Sequence, residues 1–218
     1  MKPFILKKEN TFCISLENKK ERWEKMCKRF EYFDMKVTRW IASTETDLKE
    51  NFVYYLNVGQ RGCAQSHINI WRYMVENELE YAFILEDDAC FDKEWKQKLD
   101  RFCRENTDEE WDAVLLNVSE PEMKRNTWTI ANEQYLSGGY ILSIRGAKKM
   151  LETFSHCYFS SDWMISRLEQ QGHCYTYFPW LIIQEGNEST IGSGYEMDHE
   201  KVIRCLKEVA YDIDNYII

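Results

Sequence analysis

The run Tyr81-Ala82-Phe83-Ile84-Leu85, followed at once by Glu86-Asp87-Asp88, constrains the fold more than any other part of the chain. Five apolar or aromatic residues without alternation leave no water-facing side, which is the pattern of a strand covered on both faces inside a mainly parallel sheet. Three carboxylates at its end repel, because like charges a few ångströms apart raise one another's pKa and oppose folding. A hard divalent cation relieves that repulsion. Mg²⁺ and Mn²⁺ take oxygen ligands, commonly one or two carboxylates plus substrate phosphates. Glu86 and Asp88 are two apart, so on extended backbone their side chains project the same way. On position alone, the triplet is equally a solvated loop whose acids cap the next helix.

The remaining chain supplies cover for such a strand. Thr11 to Leu16 reads as a first strand, and Asn18 can cap the helix after it. Trp23, Met26, Cys27, Phe30 and Phe33, at three- and four-residue intervals, predict that helix and turn Lys19, Lys25, Lys28 and Arg29 to water. Lys36 to Ala42 suggests a second strand. Gly59-Gln60-Arg61-Gly62 then breaks the chain ahead of a helix striped by Ala64, Ile68, Trp71 and Val75. Beyond the acids, Asp92 can cap a helix with Trp95, Leu99 and Phe102 inward, and Ala113 to Leu116 forms another buried strand. Gly138 to Leu142, Ala147 to Phe154 and Asp162 to Gln171 continue the alternation, and Val202, Leu206, Val209 and Ile213 predict a packing helix over Glu200 to Asp214. The expected class is α/β, an open, mostly parallel sheet with helices on both faces and ligands at the carboxyl ends of strands.

Length and charge narrow the partners. The 218 residues fit one domain, 1–218, and 44% apolar with 15% aromatic residues exclude a disordered acidic chain despite 30% charged ones. A net charge of -9 argues against nucleic acid, which needs clustered Lys and Arg. Small anions stay open if a metal or a basic pocket offsets the field. Eight cysteines without a C-x-x-C pair read as buried thiols in a reducing compartment. The first residues lack a signal-peptide pattern, and no run approaches the roughly 18 apolar residues of a membrane span, so a cytoplasmic protein is expected. Asn117-Val118-Ser119 and Asn187-Glu188-Ser189 then match the glycan acceptor pattern by chance. There is no G-x-x-x-x-G-K, G-x-S-x-G or H-E-x-x-H, which removes the P-loop, serine-hydrolase and zincin readings.

Several pieces in shared order carry a more specific signal. They are Cys13-Ile14-Ser15-Leu16 with Arg22, then Gly62-Cys63-Ala64-Gln65-Ser66-His67, then Ile84-Leu85-Glu86-Asp87-Asp88-Ala89. Gly139 through Met150, Asp162, Pro179 through Gln184 and Ser189-Thr190-Ile191 come after them. In this order the chain resembles glycosyltransferase family 25, which includes bacterial lipooligosaccharide galactosyltransferases and animal procollagen galactosyltransferases.

The resemblance implies a GT-A fold, with a nucleotide-binding half near 1–118 and an acceptor-side half near 119–218. It implies a UDP-sugar donor, Mn²⁺ (or Mg²⁺), inversion at the sugar carbon, and a glycan or hydroxylated-peptide acceptor. Glu86 and Asp88 would be metal ligands, with His199 completing the shell, and Asp162 the catalytic base. Ser15, Leu16, Arg22, His67, Asp87 and Gly139 would meet the donor, Asp87 at the ribose. By residue type alone Asp162 is as well a helix cap, Arg22 a solvated position, His67 a structural histidine, and Gly138-Gly139 a turn. The chain departs from many relatives in carrying Ala42-Ser43-Thr44 after the second strand and Gln60 where Glu is common, which leaves the sugar open. A carboxylate-metal phosphohydrolase or nucleotidyltransferase, and a nucleotide-sugar-binding protein without turnover, are the alternatives. No oligomeric state is implied.

Overall fold

The computed structural model describes residues 1–117, 124–132, 134–135, 137–185 and 199–218, the last segment without the side chains of residues 199–201. In chain order the elements are β1 (Thr11–Ser15), α1 (Lys20–Tyr32), β2 (Thr38–Ile41), α2 (Val58–Glu76), β3 (Tyr81–Glu86), β4 (Ala89–Asp92), α3 (Trp95–Glu105) and β5 (Ala113–Leu115). Then come β6 (Trp128–Ile130), β7 (Gly139–Ser143), α4 (Ile144–Thr153), α5 (Ser161–Glu169), β8 (Cys174–Tyr177), β9 (Ile182–Gln184), α6 (His199–Glu208) and β10 (Tyr216–Ile217).

Seven strands form the main sheet in the order β2-β1-β3-β7-β5-β8-β6. β2, β1, β3, β5 and β8 run one way, while β7 and β6 run against them, so the sheet is mostly parallel and consistent with a GT-A-like fold. Period-two alternation sorts the strand side chains onto two faces. Phe12, Ile14, Ala82, Ile84, Tyr140 and Leu142 pack with Ile68 and Trp71 of α2, Met150 of α4 and Ile165 of α5. Cys13, Phe83, Leu85, Val114 and Ile141 pack with Met26 and Phe30 of α1 and with Trp95 and Phe102 of α3. Each face is therefore covered by helices, and the burial of β3 between them explains its unbroken apolar run.

A second, three-stranded antiparallel sheet, β10-β4-β9, takes the chain away from the end of β3. It holds the acidic triplet in a two-residue turn, Asp87-Asp88, with Glu86 still paired in β3 and Ala89 already paired in β4.

The mostly parallel sheet is as expected, and within it β7 is inserted antiparallel between β3 and β5, a direction that a continuous apolar run does not record. Other expectations need correction. Arg29 does not face water: it is buried, donating to the Ala89 carbonyl and pairing with Glu185 at 2.6 Å, since β4 and β9 lie across from that side of α1. The tail helix stops at Glu208, where Ala210 takes φ +54° and Ile213 falls in a separate 3-10 turn, Ile213–Asn215. Gln60 closes a capping box with Asn57 at the start of α2, a local structural use.

Candidate active site at the carboxyl end of β3

Asp88 is incompletely satisfied by the fold. Its Oδ1 is buried and has no hydrogen-bond partner among the described residues. Among the described residues its Oδ2 meets only Arg22 Nη2 at 3.3 Å and Gln184 Nε2 at 3.4 Å, both long for a charged contact. Burial, and then the charge of neighbouring Glu86, push the Asp88 carboxyl up to about 7. Glu86 goes the other way. Burial raises it, but its contact with His67, the hydroxyl of Ser137 and the charge of Arg22 outweigh that and hold it below the usual carboxylate range. Of these two acids, Glu86 is the more readily ionised and Asp88 the one that holds a proton up to about pH 7. A cation would reverse the second.

Asp87 sits on the β1 side. Arg22 Nη2 reaches its Oδ1 at 2.7 Å. Burial raises the Asp87 carboxyl, while Arg22 and the Ser15 hydroxyl pull it back. Ser15 and Leu16, at the end of β1, are tied to β2 by Arg39, whose Nη2 donates to the Leu16 carbonyl at 2.8 Å and to Ser15 Oγ at 3.2 Å. Ser15, Leu16, Arg22 and Asp87 thus gather at one strand end, and Arg39, whose guanidinium lies 4.9 Å from the Trp23 ring centre, joins them. The Ala42-Ser43-Thr44 segment beside them is held on α2, the Ser43 amide donating to Ser66 Oγ at 2.8 Å.

Glu86 is held closely by Ser137 and approached from the other side by His67. His67 Nε2 lies 3.4 Å from Glu86 Oε1, and Ser137 Oγ donates to the same oxygen at 2.8 Å. Ser137 also meets Ser161 Oγ at 3.0 Å, which brings the start of α5 to the acidic site. Asp162 is the next residue, half-buried in the first turn of α5, with Oδ1 accepting the Trp163 amide at 2.7 Å. The thiol of Cys63 registers the convergence. Burial, and then Glu86, push it well above the usual range, and Asp162 and Asp88 add to that.

Two expected donor contacts have other partners. His67 is fully buried and reaches Glu86, so its place is behind the acid. Gly139 is buried in β7, where a Cβ would come 2.5 Å from Ile182 Cδ1, so packing on β9 demands this glycine. A Cβ on Gly138 would meet Asn117 Oδ1 at 2.5 Å, and that oxygen is another buried acceptor without a partner among the described residues. His199 opens α6, but its side chain lies outside the described residues, as do Ser189, Thr190 and Ile191. Ser137 carried no sequence signal, while Gln184 closes the Pro179–Gln184 piece of the family resemblance and Asn117 opens a glycan acceptor tripeptide, neither of which assigned them to this site. Arg39 had one: a lone charge in the short strand 38–41.

The donor set fits a hard divalent cation. Asp88 and Glu86 offer carboxylate oxygens, and the Asp88 Oδ1 is a buried acceptor that a cation would satisfy. Cys63, His67 and Glu86 also place ligand atoms within 4.8 Å of one another, but the hydrogen-bond partners of His67 already account for its position.

A family profile described as glycosyltransferase family 25 (LPS biosynthesis protein) matches residues 8–165, well over half of the chain, from the entry into β1 through Asp162. The chain belongs to glycosyltransferase family 25. Among curated members it is 36% identical over 107 residues to procollagen galactosyltransferase 1-B of Xenopus laevis, covering 44% of this chain and 17% of that one. It is 28% identical over 168 residues to a glycosyltransferase 25 family member of Drosophila pseudoobscura pseudoobscura, covering 66% and 27%. It is 23% identical over 171 residues to human procollagen galactosyltransferase 2, covering 66% and 27%. The match therefore spans between about a sixth and about a quarter of these relatives' own length. The family match includes Arg22, the acidic triplet and Asp162, and ends before His199. Among the described residues no helix is long and apolar enough to cross a membrane.

Proposed function

We propose that this chain is a metal-dependent, inverting GT-A glycosyltransferase that moves a hexose or N-acetylhexosamine from a UDP-sugar to a glycan or hydroxylated-peptide acceptor. The observation that carries the reading is the buried Asp88 Oδ1, without a partner among the described residues, beside Glu86 at the end of β3. Glu86 and Asp88 would hold Mn²⁺ or Mg²⁺, with His199 as a further candidate. The cation, when bound, supplies Lewis-acid stabilisation of the charge that builds on the departing diphosphate.

The chain's own groups supply the rest. Ser15, Leu16, Arg39 and Asp87 line the end of β1, where a doubly wound sheet receives nucleotide and ribose. Arg22, already against Asp87 and Asp88, adds positive charge for the diphosphate. Asp162 takes the proton of the acceptor hydroxyl as its oxygen bonds to the anomeric carbon. The electron pair of the breaking sugar–phosphate bond leaves with UDP, and attack from the opposite side inverts that carbon. The Glu86–Ser137–Ser161 connection supports this role, since it ties the turn bearing Asp162 to the donor end of the site. In this reading residues near 1–118 serve the donor and residues near 119–218 the acceptor within one domain, and eight cysteines outside any disulfide suit a reducing compartment such as the cytoplasm.

The test is a panel of UDP-sugars with Mn²⁺ and glycan or peptide acceptors, analysed for products. Intact UDP with a glycosylated acceptor is expected. Release of UMP or inorganic phosphate from the donor would instead identify a phosphohydrolase or nucleotidyltransferase, and donor binding without any product would identify a binding protein.

A further inference from the structure

Two strings of hydrogen bonds, each with a single allowed direction, converge on one oxygen of Glu86. Trp71 Nε1 can only donate, and it does so to Tyr140 OH at 3.0 Å. The phenolic hydrogen then points to His67 Nδ1, 2.8 Å away, which makes Nδ1 the acceptor. In a neutral ring the remaining proton is on Nε2, and Nε2 faces Glu86 Oε1 at 3.4 Å. The opposite tautomer would have His67 and Trp71 both donating to Tyr140 and would strand the phenolic hydrogen without an acceptor among the described residues, in a place where Trp71, His67 and Tyr140 are all fully buried. The second string runs from Ser161 to Ser137 to the same Oε1. Ser137 spends its hydrogen on Glu86, so Ser161 donates to Ser137 at 3.0 Å.

We infer that His67 is a positioning residue: Tyr140 fixes it as the Nε2–H tautomer, and His67 in turn presents that N–H to Glu86 Oε1, so that the other carboxylate oxygen would be the one offered to a cation. This rests on the reading of Glu86 as a metal ligand, and it assigns to His67, Tyr140 and Trp71 a role behind the ligand instead of at the donor. Such outer partners set the orientation and basicity of a ligand.

The test separates tautomer from metal. In the metal-free protein labelled with ¹⁵N-histidine, the His67 signals, identified by their loss in His67→Gln, are expected to show a pyrrole-type Nε2 and a pyridine-type Nδ1. The reverse pattern, or a ring protonated at both nitrogens at neutral pH, overturns the inference whether or not a metal binds. Mn²⁺ affinity is then measured by titration with UDP present. His67→Gln keeps a donor near the Nε2 position and should bind close to wild type. His67→Asn keeps only the Nδ1 side and should bind about 10-fold more weakly, as should Tyr140→Phe. Equal affinity in the Gln and Asn variants, with both folded by circular dichroism, overturns the inference. Absence of Mn²⁺ binding in the wild type overturns the metal reading instead, and the nitrogen spectrum still decides the tautomer.

Discussion

Two aspartates stand at opposite ends of β4, and they are kept in opposite states. Asp92, its last residue, is fully buried with both oxygens occupied: Oδ1 accepts the Glu94 amide at 2.7 Å and Lys98 Nζ at 2.9 Å, and Oδ2 accepts the Tyr211 hydroxyl. Asp88, just before its start, has one oxygen with no partner among the described residues and the other with two long ones. The same residue type, one strand apart, is a finished structural contact in one case and an open valence in the other. A buried carboxylate oxygen short of protein partners is the kind of acceptor that a bound cation would complete.

Exchanging each acid for its amide should separate the two most sharply. Asp88→Asn is expected to lower Mn²⁺-dependent transfer by about 10²–10³ or more, the range for losing one preorganised electrostatic contact to developing charge. It should leave the metal-free unfolding free energy at or above that of wild type, because a poorly partnered acid is removed. Asp92→Asn should do the reverse, weakening the fold by about 3–5 kcal/mol through the unpaired charge left on Lys98. Urea denaturation with EDTA, run beside a UDP-release assay, reads both. Loss of stability in Asp88→Asn equal to that in Asp92→Asn would erase the distinction.

The next effect concerns Asp162, which lies at the same site but outside the acidic turn. Asp162→Asn should keep donor and Mn²⁺ affinity, measured calorimetrically, and lose transfer by about 10²–10⁴, the usual contribution of a general base. Loss of donor binding in that variant would move Asp162 into the donor's surroundings and out of the proton-transfer role.

How far this contrast is legible in the sequence depends on where each partner lies in the chain. The β3 run and its acids are a local pattern, so strand, burial and metal hypothesis can be read together. The direction of β7 cannot, because an apolar strand buried on both faces reads the same parallel or antiparallel. β4 is hidden because Ala89–Asp92 comes directly after the acids and resembles the approach to a capped helix. Arg29 is sent to water because an amphipathic stripe records the core side of α1 and not the Glu185 that waits across it. Asp88 and Asp92 look alike in sequence. They are separated by Lys98, on the helix after β4, and by Tyr211, near the far end of the chain. His67 is assigned to the donor by the family resemblance, while its hydrogen bonding depends on Tyr140, from another element, which also accepts from Trp71, one turn along the helix of His67.

Proton linkage gives a smaller effect with a defined sign. Asp88 titrates near 7 in the folded, metal-free protein, above its unfolded value of roughly 4. Its contribution to stability is therefore fully present below about pH 4 and is lost as pH rises through 7. Mn²⁺ has to displace the same proton, so metal affinity should tighten as pH rises through 7 and level off above it. Stability measured against pH with EDTA, and Mn²⁺ titrations over the same range, should move in opposite directions. Asp88→Asn should flatten the first.

The smallest expected change comes from Arg22, the counterpart of Lys98 in this comparison. Lys98 is nearly buried and close to Asp92, whereas Arg22 and Asp88 are each about a sixth exposed at the side chain, 17% and 18%, and 3.3 Å apart. A partly solvated pair of that kind contributes about 0.2–1 kcal/mol, and one pH unit corresponds to about 1.4 kcal/mol. Arg22→Gln should thus raise the pH midpoint for Mn²⁺ binding by less than about one unit, in the direction of a more firmly held proton on Asp88. A shift of two units or more would mean that Arg22 serves Asp88 as Lys98 serves Asp92, and that the open valence on Asp88 is far smaller than its geometry implies.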